Sequence, residues 1–109
     1  MTVGKGTIFY SSWGYEQTNI DFYKVIEVSK SGKSITLIKL ENKIAEVEGF
    51  MSEYVIPDET KEIGEPIKNR RLQTSKFGGQ SFVNVSTRED WTNYAYEWKG
   101  QPLLQTSYY

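Results

Sequence analysis

The sequence predicts a mainly-β protein: a small SH3-like barrel, or a strongly bent antiparallel sheet, with one short helical turn. Three observations carry this. Short runs of β-branched and aromatic residues recur between turn signals, as at Phe22 to Val28, Ile35 to Leu40 and Ser81 to Val85. Alternation of period two is visible at Tyr94-Ala95-Tyr96-Glu97-Trp98. No long stretch carries the 3.6-residue periodicity of an amphipathic helix. The 109 residues suit one domain over 1–109. Only 38% are hydrophobic, but five Phe, eight Tyr and three Trp supply large rings for a core.

In chain order, Thr7 to Tyr10 reads as a first strand and Ser11 to Asn19 as a polar, aromatic loop. Phe22 to Val28 is a second strand. Ser29 to Lys33 forms a turn in which Gly32 can take positive φ, and Ile35 to Leu40 returns as a hairpin. A turn is expected at Glu41-Asn42, then a strand over Lys43 to Val47. Tyr54-Val55-Ile56 ends at Pro57, which has no N–H for a ladder. Asp58 to Pro66 is polar and holds Gly64, so it reads as a loop. Arg70 to Thr74 and Ser81 to Val85 are short strands around a turn at Phe77 to Gln80. Ser86-Thr87-Arg88-Glu89 matches a capping box and predicts the helical turn, through Trp91. On Tyr94 to Trp98 the three rings share one face, read as a core face. Pro102 to Tyr108 returns beside it, and Tyr108-Tyr109 is a candidate exposed contact.

Composition excludes several chemistries. Histidine and cysteine are both absent. That removes the commonest general base, the commonest metal ligand and every thiolate. No cofactor or metal is expected, and no residue is assigned a catalytic role. Phosphate-binding and nucleophile-elbow motifs are missing. The net charge of −1 gives no global pull toward nucleic acid or anionic lipid. The first residues lack the apolar stretch of a secretory signal, and no window is apolar enough to span a bilayer. The expected location is the cytoplasm, with no membrane partner.

Two segments carry chemistry. Trp13, Tyr15, Glu16, Gln17, Thr18, Asn19, Asp21 and Tyr23 lie within eleven residues. Rings there can stack a flat ligand while amides and carboxylates meet its edges. The same residues also suit a structured turn, with Asn19, Thr18 and Asp21 capping backbone amides. The second segment is a charge boundary. Residues 39–65 hold eight acids against three lysines, whereas 66–88 hold five cations and no acid. Arg70 and Arg71 present planar forks suited to phosphate or carboxylate. Pairing of the two stretches with each other, or charges that merely cover solvated faces, is the plainer expectation.

The run Ser12 to Tyr23, with Gly6-Thr7-Ile8, Tyr96 to Pro102 and Thr106-Ser107-Tyr108, resembles a family of small proteins encoded by phages, prophages and other mobile elements. Their recurrent signature is Ser-Trp-Gly-Tyr-Asp-Gln-Thr-Asn-(Val/Ile)-Asp-Phe-Tyr. The chain departs from that family at Thr7, Glu16 and Lys99, where the family carries Asp. The resemblance implies an accessory phage protein working inside an infected bacterium. The leading functional expectation is therefore a non-enzymatic binding protein that engages a host macromolecule or a nucleotide, for example to blunt host defence. The rival expectations are a nucleic-acid-binding module built on residues 66–88 and a metal-dependent phosphoesterase using Glu16 or Asp21. A virion component is a further alternative. A homo-oligomer through a free strand edge is compatible with each.

Overall fold

The computed structural model describes residues 3–13, 19–49, 52–74, 81–86 and 93–106. They form seven strands: β1 Ile8–Trp13, β2 Asn19–Val28, β3 Ser34–Gly49, β4 Ser52–Thr74, β5 Ser81–Asn84, β6 Tyr94–Glu97 and β7 Leu103–Thr106. The mainly-β expectation holds. All pairings are antiparallel, in the order β3-β2-β1-β6-β5-β4-β7, and β3 also pairs with β4. That last pairing joins one end of the row to its last strand but one, so six strands make a closed hydrogen-bonded circuit with β7 outside it. The predicted helical turn and the Tyr108-Tyr109 pair lie outside the described residues.

Alternation along the strands builds two cores. Phe9, Tyr23, Val25, Leu37, Val83 and Ala95 belong to one buried cluster, with Ile67 and Leu72 packed against it. Its members come from every strand of the circuit, so this is the interior. The neighbouring positions point outward. Ile8, Ile20, Phe22 and Leu40 form a second cluster with Val55, against which Trp98 and Leu103 pack. Val55 and Leu103 are register partners on β4 and β7. The far half of the β3–β4 ribbon, widened by β7, therefore lies over the outer face of β1, β2 and β3.

The β2–β3 hairpin is the predicted one. Val28 pairs with Ile35 and Phe22 with Leu40. Gly32 has φ of +75°, and its N–H donates to the Ser29 carbonyl at 2.9 Å.

The middle of the chain corrects three expectations. No turn interrupts β3 at Glu41-Asn42, β4 does not stop at Pro57, and Asp58 to Pro66 is strand rather than loop. The loop-like composition marks bulges instead. Between the pairs Leu40–Glu62 and Glu41–Asp58, β3 advances one residue while β4 advances four. Glu59, Thr60 and Lys61 thus stand out of the ladder, with the Thr60 N–H donating to Asp58 Oδ1 at 3.0 Å. Between Leu37–Ile67 and Lys39–Ile63 a second mismatch absorbs Gly64-Glu65-Pro66, where Gly64 has φ of +73°. A third, beside Arg70, places Asn69 at φ of 56°. From Ile56 to Arg71 the strand also has a ladder partner on one side only, the edge setting in which proline is tolerated.

Candidate ligand-binding face

Trp13 and Asn19 are register partners, so 14–18 connects β1 to β2. Tyr15, Glu16, Gln17 and Thr18 fall outside the described residues. Asn19 is half-buried at the start of β2. Asp21 sits opposite Ser11 and forms an ion pair with Lys39 at 3.3 Å. Tyr23 is 6% exposed and belongs to the interior cluster. Burial, with the Asp21 carboxylate adding to it, pushes the Tyr23 phenol well above the usual tyrosine range. Its hydroxyl stays neutral inside the circuit. Ser11, fully buried, donates a hydrogen bond to Asn93 Oδ1 beside it.

A polar knot fixes the base of this hairpin. The Ile20 N–H donates to Gln105 Oε1 at 3.2 Å, and Asn42 Nδ2 donates to the Ile20 carbonyl at 2.6 Å. Gln105 Nε2 donates in turn to Glu53 Oε1 at 3.0 Å. One glutamine of β7 thus links β2, β3 and β4 beneath Asn19.

Two ion pairs among the described residues involve the acidic stretch, and both run to β2. Lys24 holds Glu62 at 2.9 Å, and Lys39 holds Asp21. Both pairs start from β2 or end on it, and neither joins the acidic stretch to the basic one. Arg71 is exposed and pairs in register with Ser34, while Arg70 is half-buried opposite Ile35. Arg70 therefore shares a face with the interior, and Arg71 points outward. The Arg70 Nε is buried and meets no hydrogen-bond partner among the described residues.

The feature that sequence reasoning misplaced is on β6. Tyr94 and Tyr96 are 42% and 38% exposed, while Ala95 between them is fully buried. Of the three alternating rings, Trp98 alone packs onto a core cluster. The interior already holds Phe9 and Tyr23 one inward position away, in the row of Glu97, which leaves room for alanine opposite Val83. The small residue between two rings was the available signal.

The outward rings are continuous across strands. Gln73 lies opposite Phe82, Phe82 opposite Tyr96, and Tyr96 opposite Tyr10. Tyr10 and Tyr96 have centroids 6.3 Å apart, and Phe82 lies 5.9 Å from Tyr96 and 5.5 Å from Tyr94. Beyond Tyr10 the same row continues to Phe22 and Leu40, where Val55, Trp98 and Leu103 cover it. The cover stops short of β6 and β5. Carrying the β4–β5 register one residue further sets Arg71 level with Asn84, and carrying the β1–β6 register two residues further sets Tyr94 level with Ser12. The aromatic strip thus lies between Arg71 on β4 and Ser12 on β1, the residue before Trp13. Four strands at about 4.8 Å spacing put them roughly 14 Å apart along the sheet. Arg70 is not part of this face.

Among the described residues, no three carboxylates gather to hold a metal ion. Nor is any helix there long and apolar enough to cross a membrane. Comparison with protein-family models, with curated proteins and with solved structures gives no match.

Proposed function

We propose that this chain is a non-enzymatic binding protein whose ligand surface is the uncovered outer face of β1, β6, β5 and the end of β4. The observation that carries the reading is the strip Tyr10–Tyr96–Phe82–Tyr94, in which Tyr10 packs at the margin of the covered cluster, Phe82 is half-buried, and Tyr94 and Tyr96 are exposed. Rings held on paired strands lose little entropy when a ligand stacks on them, which is why tyrosine dominates many recognition surfaces. The absence of histidine and cysteine favours recognition over nucleophilic or general-base chemistry. The resemblance to phage-encoded proteins gives the setting: an accessory protein in the cytoplasm of an infected bacterium, engaging a host component, with counter-defence as the outcome.

Native mass spectrometry of the protein recovered gently from expressing bacteria tests this. The wild-type chain is expected to carry a discrete partner mass. The Tyr94→Ser, Tyr96→Ser double variant, folded by circular dichroism, is expected to come out bare. A partner retained by the folded variant, or a wild-type chain that is bare from the start, would refute the assignment.

A further inference from the structure

We infer that the occupant of this face is single-stranded nucleic acid, with bases on the ring strip and phosphates on the cationic edge beside Arg71. The inference rests on the binding-face reading above and names its ligand. Three observations support it together.

The first is the make-up of the face. Eight positions on the four strands point outward here: four rings, Arg71, and the uncharged polar residues Gln73, Asn84 and Ser12. None is acidic and none is aliphatic. A protein partner's apolar side chains would find no aliphatic pocket, whereas base faces find rings and base edges find amides and a hydroxyl.

The second is spacing. Neighbouring rings along the strip lie 5.5–6.3 Å apart. That is comparable to one nucleotide step of an extended single strand, so successive bases can meet successive rings. Paired bases are already stacked inside a duplex and cannot use such rings.

The third is charge placement. Arg71 is exposed next to Ser34, and the Lys33 carbonyl accepts the Leu72 N–H at 2.8 Å, so the β2–β3 turn abuts this edge. Lys30, Lys33 and Lys68 are exposed around it. Among the described residues, the exposed acids Glu41, Glu46, Glu59, Glu62 and Glu65 lie on the ribbon and Glu27 lies on β2 opposite Thr36, so near this edge Glu27 and Glu65 are outnumbered by Arg71, Lys30, Lys33 and Lys68. A net charge of −1 therefore hides a local cationic edge at one end of the ring strip, the combination that single-strand binders use.

Fluorescence anisotropy with labelled twelve-nucleotide oligo(U), oligo(dT) and a duplex of the same length tests the inference on the full chain. Both single strands are expected to bind, and the duplex more weakly. A preference between oligo(U) and oligo(dT) decides whether RNA or DNA is the ligand. Tyr96→Ala should weaken binding about 5- to 150-fold, the loss of one stacked base. Arg71→Gln should weaken it and reduce the salt slope by about 0.7, the release of one phosphate contact from a single strand. No oligonucleotide binding, equal binding of the duplex, or single-strand binding indifferent to Tyr96→Ala would each overturn the inference. If oligonucleotides fail while the Tyr94→Ser, Tyr96→Ser variant still loses its partner in cells, the ligand is wrong and the binding face stands. Failure of both removes the face as well.

Discussion

Replacing Phe22 with alanine separates the outer core layer from the uncovered strip. Phe22 is fully buried, yet it lies on the outside of the circuit, two strands from exposed Tyr96 on the same row. Its ring meets Trp98 edge-on at 5.6 Å, beneath Val55 and Leu103. A phenylalanine that buries on the order of 150–250 Å² at about 25 cal/mol per Å² contributes about 4–6 kcal/mol. Residual compactness of the unfolded chain lowers that, and Phe→Ala changes in cores cost about 3–5 kcal/mol. Against a whole-domain stability of about 5–15 kcal/mol this is a large share. At a urea slope of about 2 kcal/mol per M, a loss of about 4 kcal/mol moves the unfolding midpoint down by about 2 M. Tyr94→Ala, measured beside it, should cost under about 1.5 kcal/mol, since it removes one edge contact with Phe82 and little burial. Urea titration followed by far-ultraviolet circular dichroism reads both. A Phe22→Ala loss below about 1.5 kcal/mol, or a Tyr94→Ala loss as large as that of Phe22→Ala, would refute the division into covered and open halves.

Three further outcomes are expected. Gly64→Ala should destabilise by about 1–2 kcal/mol, because alanine is strained at positive φ, whereas Gly4→Ala should be near neutral in a thermal melt. Gln105→Ala strands the Ile20 N–H and the Glu53 carboxylate, and should cost about 1–3 kcal/mol, with faster amide exchange at Ile20. Tyr23 has a folded-state pKa raised above its unfolded value of about 10, so its contribution is complete below that pH and is lost as pH rises through and beyond it. Tyrosinate absorbance at high pH should show one ring ionising only with unfolding, and Tyr23→Phe should make stability less sensitive to pH above about 10.

Much of the fold was legible because local signals and the global fold agree where a strand has one buried face. The β2–β3 hairpin follows from the alternation on either side of Gly32. Polar composition misled at Asp58 to Pro66, because a bulged edge ribbon and a loop use the same residues. Only the partner strand, with its one-for-four mismatch opposite Glu41, distinguishes them. The alternating rings of β6 were legible as one face, but which face was not. Direction depends on what already fills the interior, and Phe9 and Tyr23 are distant in sequence. Arg71 was flagged by residue type, and closure of the circuit places it two strands from Tyr94 in one row. Tyr10, Phe82 and Tyr94 carried no local mark that sets them apart from core rings. Their meeting on one outer face, with Tyr94 exposed and Tyr10 and Phe82 half-buried, is a consequence of register across three strands.

The most direct measurement is tyrosine nitration of the protein in extracts of expressing bacteria, compared with the purified chain. Peptide mass spectrometry gives the modification of Tyr94 and Tyr96 relative to half-buried Tyr54 on the ribbon. The account predicts that Tyr94 and Tyr96 react readily in the purified chain and are protected in the extract, with Tyr54 unchanged. Equal reactivity of Tyr94 and Tyr96 in the two settings would contradict the claim that this face is where the protein binds.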